Sequence, residues 1–458
     1  MDVESRTALV TFRRQLHGCF GRWSDALFEL CDATLCAPAP VSSVPTLSLE
    51  PTFRRSHGSL YKALDQGTID VDALRSLLVA NRPRNWPAVF AVDASTWDRC
   101  DAETSPERGF HYSASKHSAG QPIVAGWSYQ WITQLDWAPD SWTAPLDAMR
   151  IAPSTDATTA TIDQVQRLVG LLGDDGEIPM FVFDAGYDPI ALSVGLADTR
   201  AQTLVRISST RVFHPDPDER APGTMGRPRR HGARFALSEP DTWTTPAAEL
   251  VTQDKRYGNV SVQAWSGLHP KLHGRGRWKG HDVPPIVRGT VIRVEVEHLP
   301  KPTARTKKTL WLWWSGPGPV DLDLCWRAYL RRFDIEHTFR FVKGTASAGP
   351  LPPCGPPNKP TAGPGSSPPP TPSSASPGTS SMTYASHGNA ADPRTSSPPH
   401  ECVEGFGYCV SPSTHPPDHR NPTRPAPAAP KAPENRHEPA TQPSRRPPDN
   451  LDFRSLRP

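Results

Sequence analysis

Residues 85–96 read NWPAVFAVDAST and residues 178–184 read IPMFVFD. Each is a short apolar run that gives way to an aspartate, Asp93 in the first and Asp184 in the second. Runs of roughly four to eight apolar residues, rich in β-branched and aromatic side chains and bounded by Pro or Asp, have the length of buried strands rather than of helices. If the two strands are parallel neighbours, both carboxylates come to one end of a sheet, which is where open α/β sheets place their sites.

Working outward, QPIVAGWSYQWITQL (121–135) and SWTAPLDAMRIA (141–152) continue the strand-like pattern and suggest an antiparallel meander with the first run. Ile162, Val165, Leu168, Val169 and Leu172 then share one face of a helix over 158–172. After IPMFVFD a helix is expected over about 188–199 and a strand at TLVRI, 203–207. From 208 to 316 the pattern is strand-rich, with NVSVQAW, PIVRGTVIRVEVEHL and KTLWLWWSG between polar loops, and Trp311 and Trp313 alternate as core residues of a strand do. A helix follows over 322–343. Ahead of the first strand, RWSDALFELCDATL and VDALRSLLVA carry apolar side chains at three- and four-residue spacing.

The order β-β-β-α-β-α-β, an insertion and a final helix is that of an RNase H-like domain. The expected organisation is an N-terminal helical domain over 1–84, a core over 85–207, a β-rich insertion over 208–316 and a core helix over 317–343. A Pro-rich tail over 344–458 holds about half of the 54 prolines. A tail of that composition buries too little apolar surface to offset its ordering entropy and is expected to be disordered.

Composition excludes little. Lys and Arg number 50 against 47 Asp and Glu, a net charge of +3, so any nucleic-acid surface has to come from local clustering. The eight cysteines lack the dense spacing of a secreted disulfide scaffold, and the first residues lack the apolar core of a signal peptide. A cytoplasmic, nucleoid-associated protein with no membrane partner is expected.

The final helix carries the third acid. In YLRRFDIEHTFRFVK (329–343), Tyr329, Arg332, Glu336 and Lys343 follow at steps of three, four and seven, which places them on one face of a continuous helix. Singly, an Asp after a strand is more often a turn residue, and a Glu on a charged helix more often a solvated one. Three such acids in this element order suit two hard divalent cations, Mg²⁺ with Mn²⁺ as a substitute, acting on phosphate.

The spacing Tyr-x2-Arg-x3-Glu-x6-Lys resembles the signature of bacterial DDE insertion-sequence transposases that carry a β-insertion between their second and third acids. AVDASTWDRCDAETSPERGFHY, SAGQPIVAGWSYQWI, FVFDAGYD, LWLWWSG and RRFDIEHTFRF are similar to the actinobacterial branch of that group. The resemblance implies metal binding and catalysis by Asp93, Asp184 and Glu336, and DNA contacts from Tyr329, Arg332 and Lys343. It also implies double-stranded DNA as partner, both element ends and target, with a homodimer in the synaptic complex. GRPRRHGAR (226–234) adds Arg227, Arg229 and Arg230 as candidate phosphate contacts, with a solvated loop as the alternative, and KPTARTKK (301–308) reads similarly.

Beyond Lys343 the family pattern requires a Gly-Trp turn and a closing amphipathic helix, and this chain has proline-rich sequence instead. Codons rebuilt from the third base of one residue and the first two bases of the next let ASAGPLPPCGPPNKPTAGPGSS (346–367) become IGWTAPALRTPEQADRWTWLL. The apparent zinc ligands His400, Cys402, Cys409 and His415 then become out-of-frame accidents. The expected function is metal-dependent DNA strand cleavage and strand transfer. The alternative is a catalytically defective remnant that only binds DNA.

Overall fold

The computed structural model describes residues 3–346 apart from 39–40, 42, 101, 113–122, 175, 221–222, 224, 275 and 300–306. The Pro-rich tail, on which the expected frame shift falls, and most of KPTARTKK lie outside the described residues.

Five helices come first: α1 (Val3–Gly18), α2 (Ser24–Cys36), α3 (Val44–Leu47), α4 (His57–Gln66) and α5 (Val71–Ala80). They enclose small apolar cores around Phe12, Leu16, Leu27 and Ala63, and around Leu30, Phe53 and Leu60. Asp70 caps α5 by accepting from the Ala73 amide. This helix joins two cores, since Leu77 packs among the helices and Val79 packs beneath the sheet.

The sheet starts with β1 (Val89–Asp98), β2 (Gly109–Tyr112), β3 (Ile123–Leu135) and β4 (Thr143–Ile151). Helix α6 (Ala157–Leu172), β5 (Met180–Phe183), α7 (Pro189–Gly195) and β6 (Gln202–Ile207) follow. Strand β1 pairs antiparallel with β3 and parallel with β5, β5 pairs parallel with β6, and β4 lies on the far side of β3. That is the expected mixed sheet of an RNase H-like fold, flanked by helices.

The segment after β6 supplies β7 (Val212–Phe213), β8 (Phe235–Ala236), β9 (Ala248–Asp254), β10 (Gly258–Leu268), β11 (Gly289–Val296) and β12 (Thr309–Ser315). The last four extend the same sheet. Strand β12 returns beside β6, and the ten-stranded sheet runs β2-β3-β1-β5-β6-β12-β11-β10-β9 with β4 on β3. Strict alternation along β12 explains how it is held: Leu310, Leu312 and Trp314 enter the core under the last helices, while Trp311 and Trp313 enter another around Phe213, Phe235 and Trp265.

The chain closes with α8 (Leu322–Arg331), capped by Asp321, and α9 (Ile335–Ala346). They do not form the single helix that the periodicity predicts, because Arg332–Asp334 is a 3-10 turn. Arg332, Phe333, Asp334 and Ile335 are all buried. Four successive residues cannot all face inward on a surface α-helix, and the tighter turn sinks into the sheet instead. Winding three residues at roughly 120° each rather than 100° turns α9 by about 60° relative to α8.

Candidate active site

The two aspartates meet by register and parity. Pairing of Val89, Phe90 and Ala91 with Met180, Phe181 and Val182, extended by two positions, sets Asp93 beside Asp184 on strands spaced about 4.8 Å apart. On both strands the same-parity residues, Val89 and Ala91 in β1 and Met180 and Val182 in β5, belong to the core that α8 covers. Alternation turns both carboxylates toward that helix. One expectation is corrected here: Asp93 does not end β1. The strand runs on to Asp98 because β3 still pairs with it, from Asp93 opposite Trp131 to Asp98 opposite Gly126, after β5 has stopped. Loss of the β5 neighbour opens the space beside Asp93.

Into that space comes Arg332. Its Nη1 donates to Asp93 Oδ2 at 2.9 Å, while the Ala94 amide donates to Asp93 Oδ1 at 2.8 Å. The guanidinium lies 4.6 Å from the Phe333 ring centroid and 5.9 Å from that of Tyr329, so aromatic faces replace part of its lost hydration. Burial alone would lower the Arg332 pKa, but Asp93, then Tyr329 and Asp184, more than offset it, and the guanidinium is held charged. Burial pushes Asp93 up to about 6, with Arg332 opposing the rise and Asp184 adding to it. Asp184 Oδ1 accepts from the Gly186 amide at 2.7 Å.

The other expected residues are placed as follows. Lys343 reaches the site's rim, donating through Nζ to the Thr96 carbonyl at 2.7 Å with the Trp97 ring centroid 5.7 Å away. Glu336 is half-buried at the start of α9, which packs against β1 and β4. Among the described residues no group of three or more His, Cys, Asp or Glu is close enough to hold a metal ion. Asp93 and Asp184 thus come together without a three-carboxylate cluster. Tyr329, expected at DNA, is 1% exposed and part of the core. Arg332, expected there too, is 4% exposed. Arg227 and Arg229 are exposed, and Arg230 donates to the Pro284 carbonyl at 2.8 Å.

The donor set decides what cation the site fits. Two adjoining carboxylates, one of them raised by desolvation, make a hard oxygen site short of positive charge, and such a site suits a divalent cation. As arranged, Arg332 supplies that charge.

A buried polar chain behind the acids had escaped attention. The Tyr187 hydroxyl donates to Gln130 Oε1 at 3.3 Å, and Gln130 Nε2 donates to Gln164 Oε1 at 2.8 Å. Gln164 Nε2 donates to Asp147 Oδ2 at 3.0 Å, and Arg75 Nε of α5 donates to Asp147 Oδ1 at 2.6 Å. Burial first, then the charges of Asp93 and Asp184, raises the Tyr187 phenol well above its ordinary value, so it stays protonated as a donor. The sequence held a signal: Gln164 falls on the apolar stripe of α6, one step from Val165 and four from Leu168.

Residues 15–271 match the family model described as DDE superfamily endonuclease. The match spans more than half of the 458-residue chain and contains Asp93 and Asp184. This chain belongs to the DDE superfamily of endonucleases. Among solved structures it is similar to a piggyBac transposase in a cryo-EM synaptic complex with hairpin DNA, at 10% identity and a TM-score of 0.31. That similarity covers 71% of this chain and 60% of the transposase chain, so the chain spans about 60% of its length. No curated protein matches. Among the described residues of this DDE superfamily member, no helix is long and apolar enough to cross a membrane.

Proposed function

We propose that this DDE endonuclease is a transposase of bacterial insertion-sequence type, which hydrolyses a phosphodiester at the element's ends and directs the freed 3′-hydroxyl at target DNA. The observation that carries the reading is the register-matched pair Asp93 and Asp184, both turned toward α8, with Arg332 of the turn after that helix bonded to Asp93. Asp93, Asp184 and Glu336 would hold two Mg²⁺ ions, or Mn²⁺ in their place, which when bound activate water and stabilise the leaving oxygen. The chain's own residues do the rest. Asp93 and Asp184 are fixed by strand pairing and by the Ala94 and Gly186 amides, so their oxygens need little reorganisation. Lys343 sits three residues along β1 from Asp93, where its ammonium suits a flanking phosphate. Arg227 and Arg229, with the neighbouring Arg230, suit backbone contacts farther along the duplex. A homodimer pairing the two ends, working on DNA at the nucleoid, completes the reading.

The test is Mg²⁺-dependent nicking of supercoiled DNA. In a version with the family frame restored, Asp93→Ala, Asp184→Ala and Glu336→Ala should each abolish it while DNA retention in a gel-shift assay persists. Wild-type nicking by any of the three removes that residue from the site. A second reading, a remnant that binds DNA without cutting, is favoured by the absence of a three-acid cluster among the described residues and by the altered sequence after Lys343. We read that alteration as a one-base deletion or two-base insertion near codon 344. No nicking by the chain as written, with nicking by a frame-restored version, assigns the remnant reading to this polypeptide and the transposase reading to its family.

A further inference from the structure

The acid pair is served by a cation that the chain itself supplies. Arg332 is 4% exposed, and its Nη1 takes Asp93 Oδ2 at 2.9 Å while the Ala94 amide takes Oδ1. Both oxygens of Asp93 thus already accept a hydrogen bond. The other side of the guanidinium is less well served, since Arg332 Nε is buried without a hydrogen-bond partner among the described residues. Arg332 also opens the 3-10 turn that separates α8 from α9, and Glu336 lies one turn beyond it.

Charge bookkeeping then selects a mechanism. Two half-buried carboxylates with one buried guanidinium leave a single negative charge at the site. A divalent cation placed on the same oxygens with Arg332 still in contact would set two cations side by side in a low-dielectric space. One must leave. We propose that Arg332 is an internal counter-cation that holds Asp93 and Asp184 together in the metal-free protein and is displaced when a divalent cation binds. This rests on the proposed reading of Asp93 and Asp184 as metal ligands.

The experiment uses the purified full chain and Mn²⁺ as the probe. Calorimetric titration should show R332Q binding Mn²⁺ roughly tenfold more tightly than the unsubstituted protein, because one like charge beside the ligands has gone. Without metal R332Q should melt lower, and saturating Mn²⁺ should raise its Tm more than that of the unsubstituted protein. Phenylglyoxal, read by mass spectrometry of the peptide containing Arg332, supplies an independent arm that needs no substitution. Arg332 should be protected without metal and modified when Mn²⁺ is saturating, and this arm decides if R332Q does not fold. Equal or weaker binding by R332Q, or protection of Arg332 unchanged by Mn²⁺, overturns the counter-cation. If that result comes with binding still abolished by Asp184→Asn, the metal reading stands alone. Absence of Mn²⁺ binding in both proteins overturns the metal reading and the inference together.

Discussion

Arg332 Nη1 lies 2.9 Å from Asp93 Oδ2, with 5% of the arginine side chain and 20% of the aspartate side chain exposed. At that depth, removing one partner leaves an uncompensated charge, which typically costs about 3–5 kcal/mol. Arg332→Leu should therefore destabilise the metal-free protein by roughly that amount near neutral pH. The deficit has a pH signature. Burial already raises the Asp93 pKa, and losing the guanidinium raises it further. A carboxylate with a raised folded-state pKa contributes stability at low pH that is lost as pH rises through that value. Urea unfolding of Arg332→Leu should approach the unsubstituted protein as pH falls from 7 toward 5, and a pH-independent difference would show that the pair is not electrostatically coupled.

The insertion carries its own titrating cluster. His231 Nδ1 lies 3.0 Å from His269 Nε2, with the His214 ring centroid 5.5 Å from that of His231. Burial first, then neighbouring imidazoles, lowers the pKa of both His231 and His269 below the ordinary 6.5. A base with a lowered folded-state pKa contributes stability that is present above its unfolded value and lost as pH falls through the folded one. Thermal melting should therefore decline between about pH 7 and about pH 5, and His269→Gln should flatten that decline. An identical pH slope in His269→Gln would assign the decline to other groups.

Gly126 stands opposite Asp98 on β3, and a Cβ there would run into the backbone carbonyl of Trp97. No rotamer relieves a clash with backbone. Gly126→Ala should pry the outer half of β1 from β3, costing about 1–3 kcal/mol and displacing the Thr96 carbonyl that accepts from Lys343. Faster amide exchange at residues 94–98 would report it. Gly170→Ala is the control: it lies in α6 with nothing within 4 Å of the added carbon, and should be neutral or stabilising by about 0.5–1 kcal/mol.

Much of the site was legible because it depends on parity. Two apolar strands ending near acids need only be parallel neighbours for Asp93 and Asp184 to adjoin, and the order of elements around them implied that they are. The break at Arg332–Asp334 was not legible, since RRFDIEH keeps helical periodicity and only the depth of the sheet beneath decides that four successive residues sink. Strand β9 was missed for another reason. Its AELVTQD sequence is largely exposed at the sheet's edge, and edge strands carry polar and charged residues that mask the alternation of a buried strand. Tyr187 and Gln130 required knowing which helix covers β3, a long-range fact that no local pattern holds.

The last prediction concerns the reading frame. Phe341 on α9 is 54% exposed and Trp142, ahead of β4, is 48% exposed. The two elements pack together, and the hydroxyls of Thr143 and Thr338 bond one turn before Phe341. Large aromatic side chains left in water beside a helix contact make a surface that a further amphipathic helix would cover, and under the proposed frame shift the codons after Gly344 would encode one. Burying a side chain of this size contributes roughly 1.5–3 kcal/mol before entropy, and a few of them rival the ~5–15 kcal/mol that holds a domain folded. Inserting one base, or deleting two, near codon 344 should therefore yield a protein that is more soluble, melts higher and nicks DNA, whereas the chain as written does not nick. Sequencing across codons 340–350 gives the companion result, with one base fewer or two more than the frame that encodes Gly-Trp requires. Equal solubility, melting and nicking in the two versions would show that the altered frame has no functional consequence.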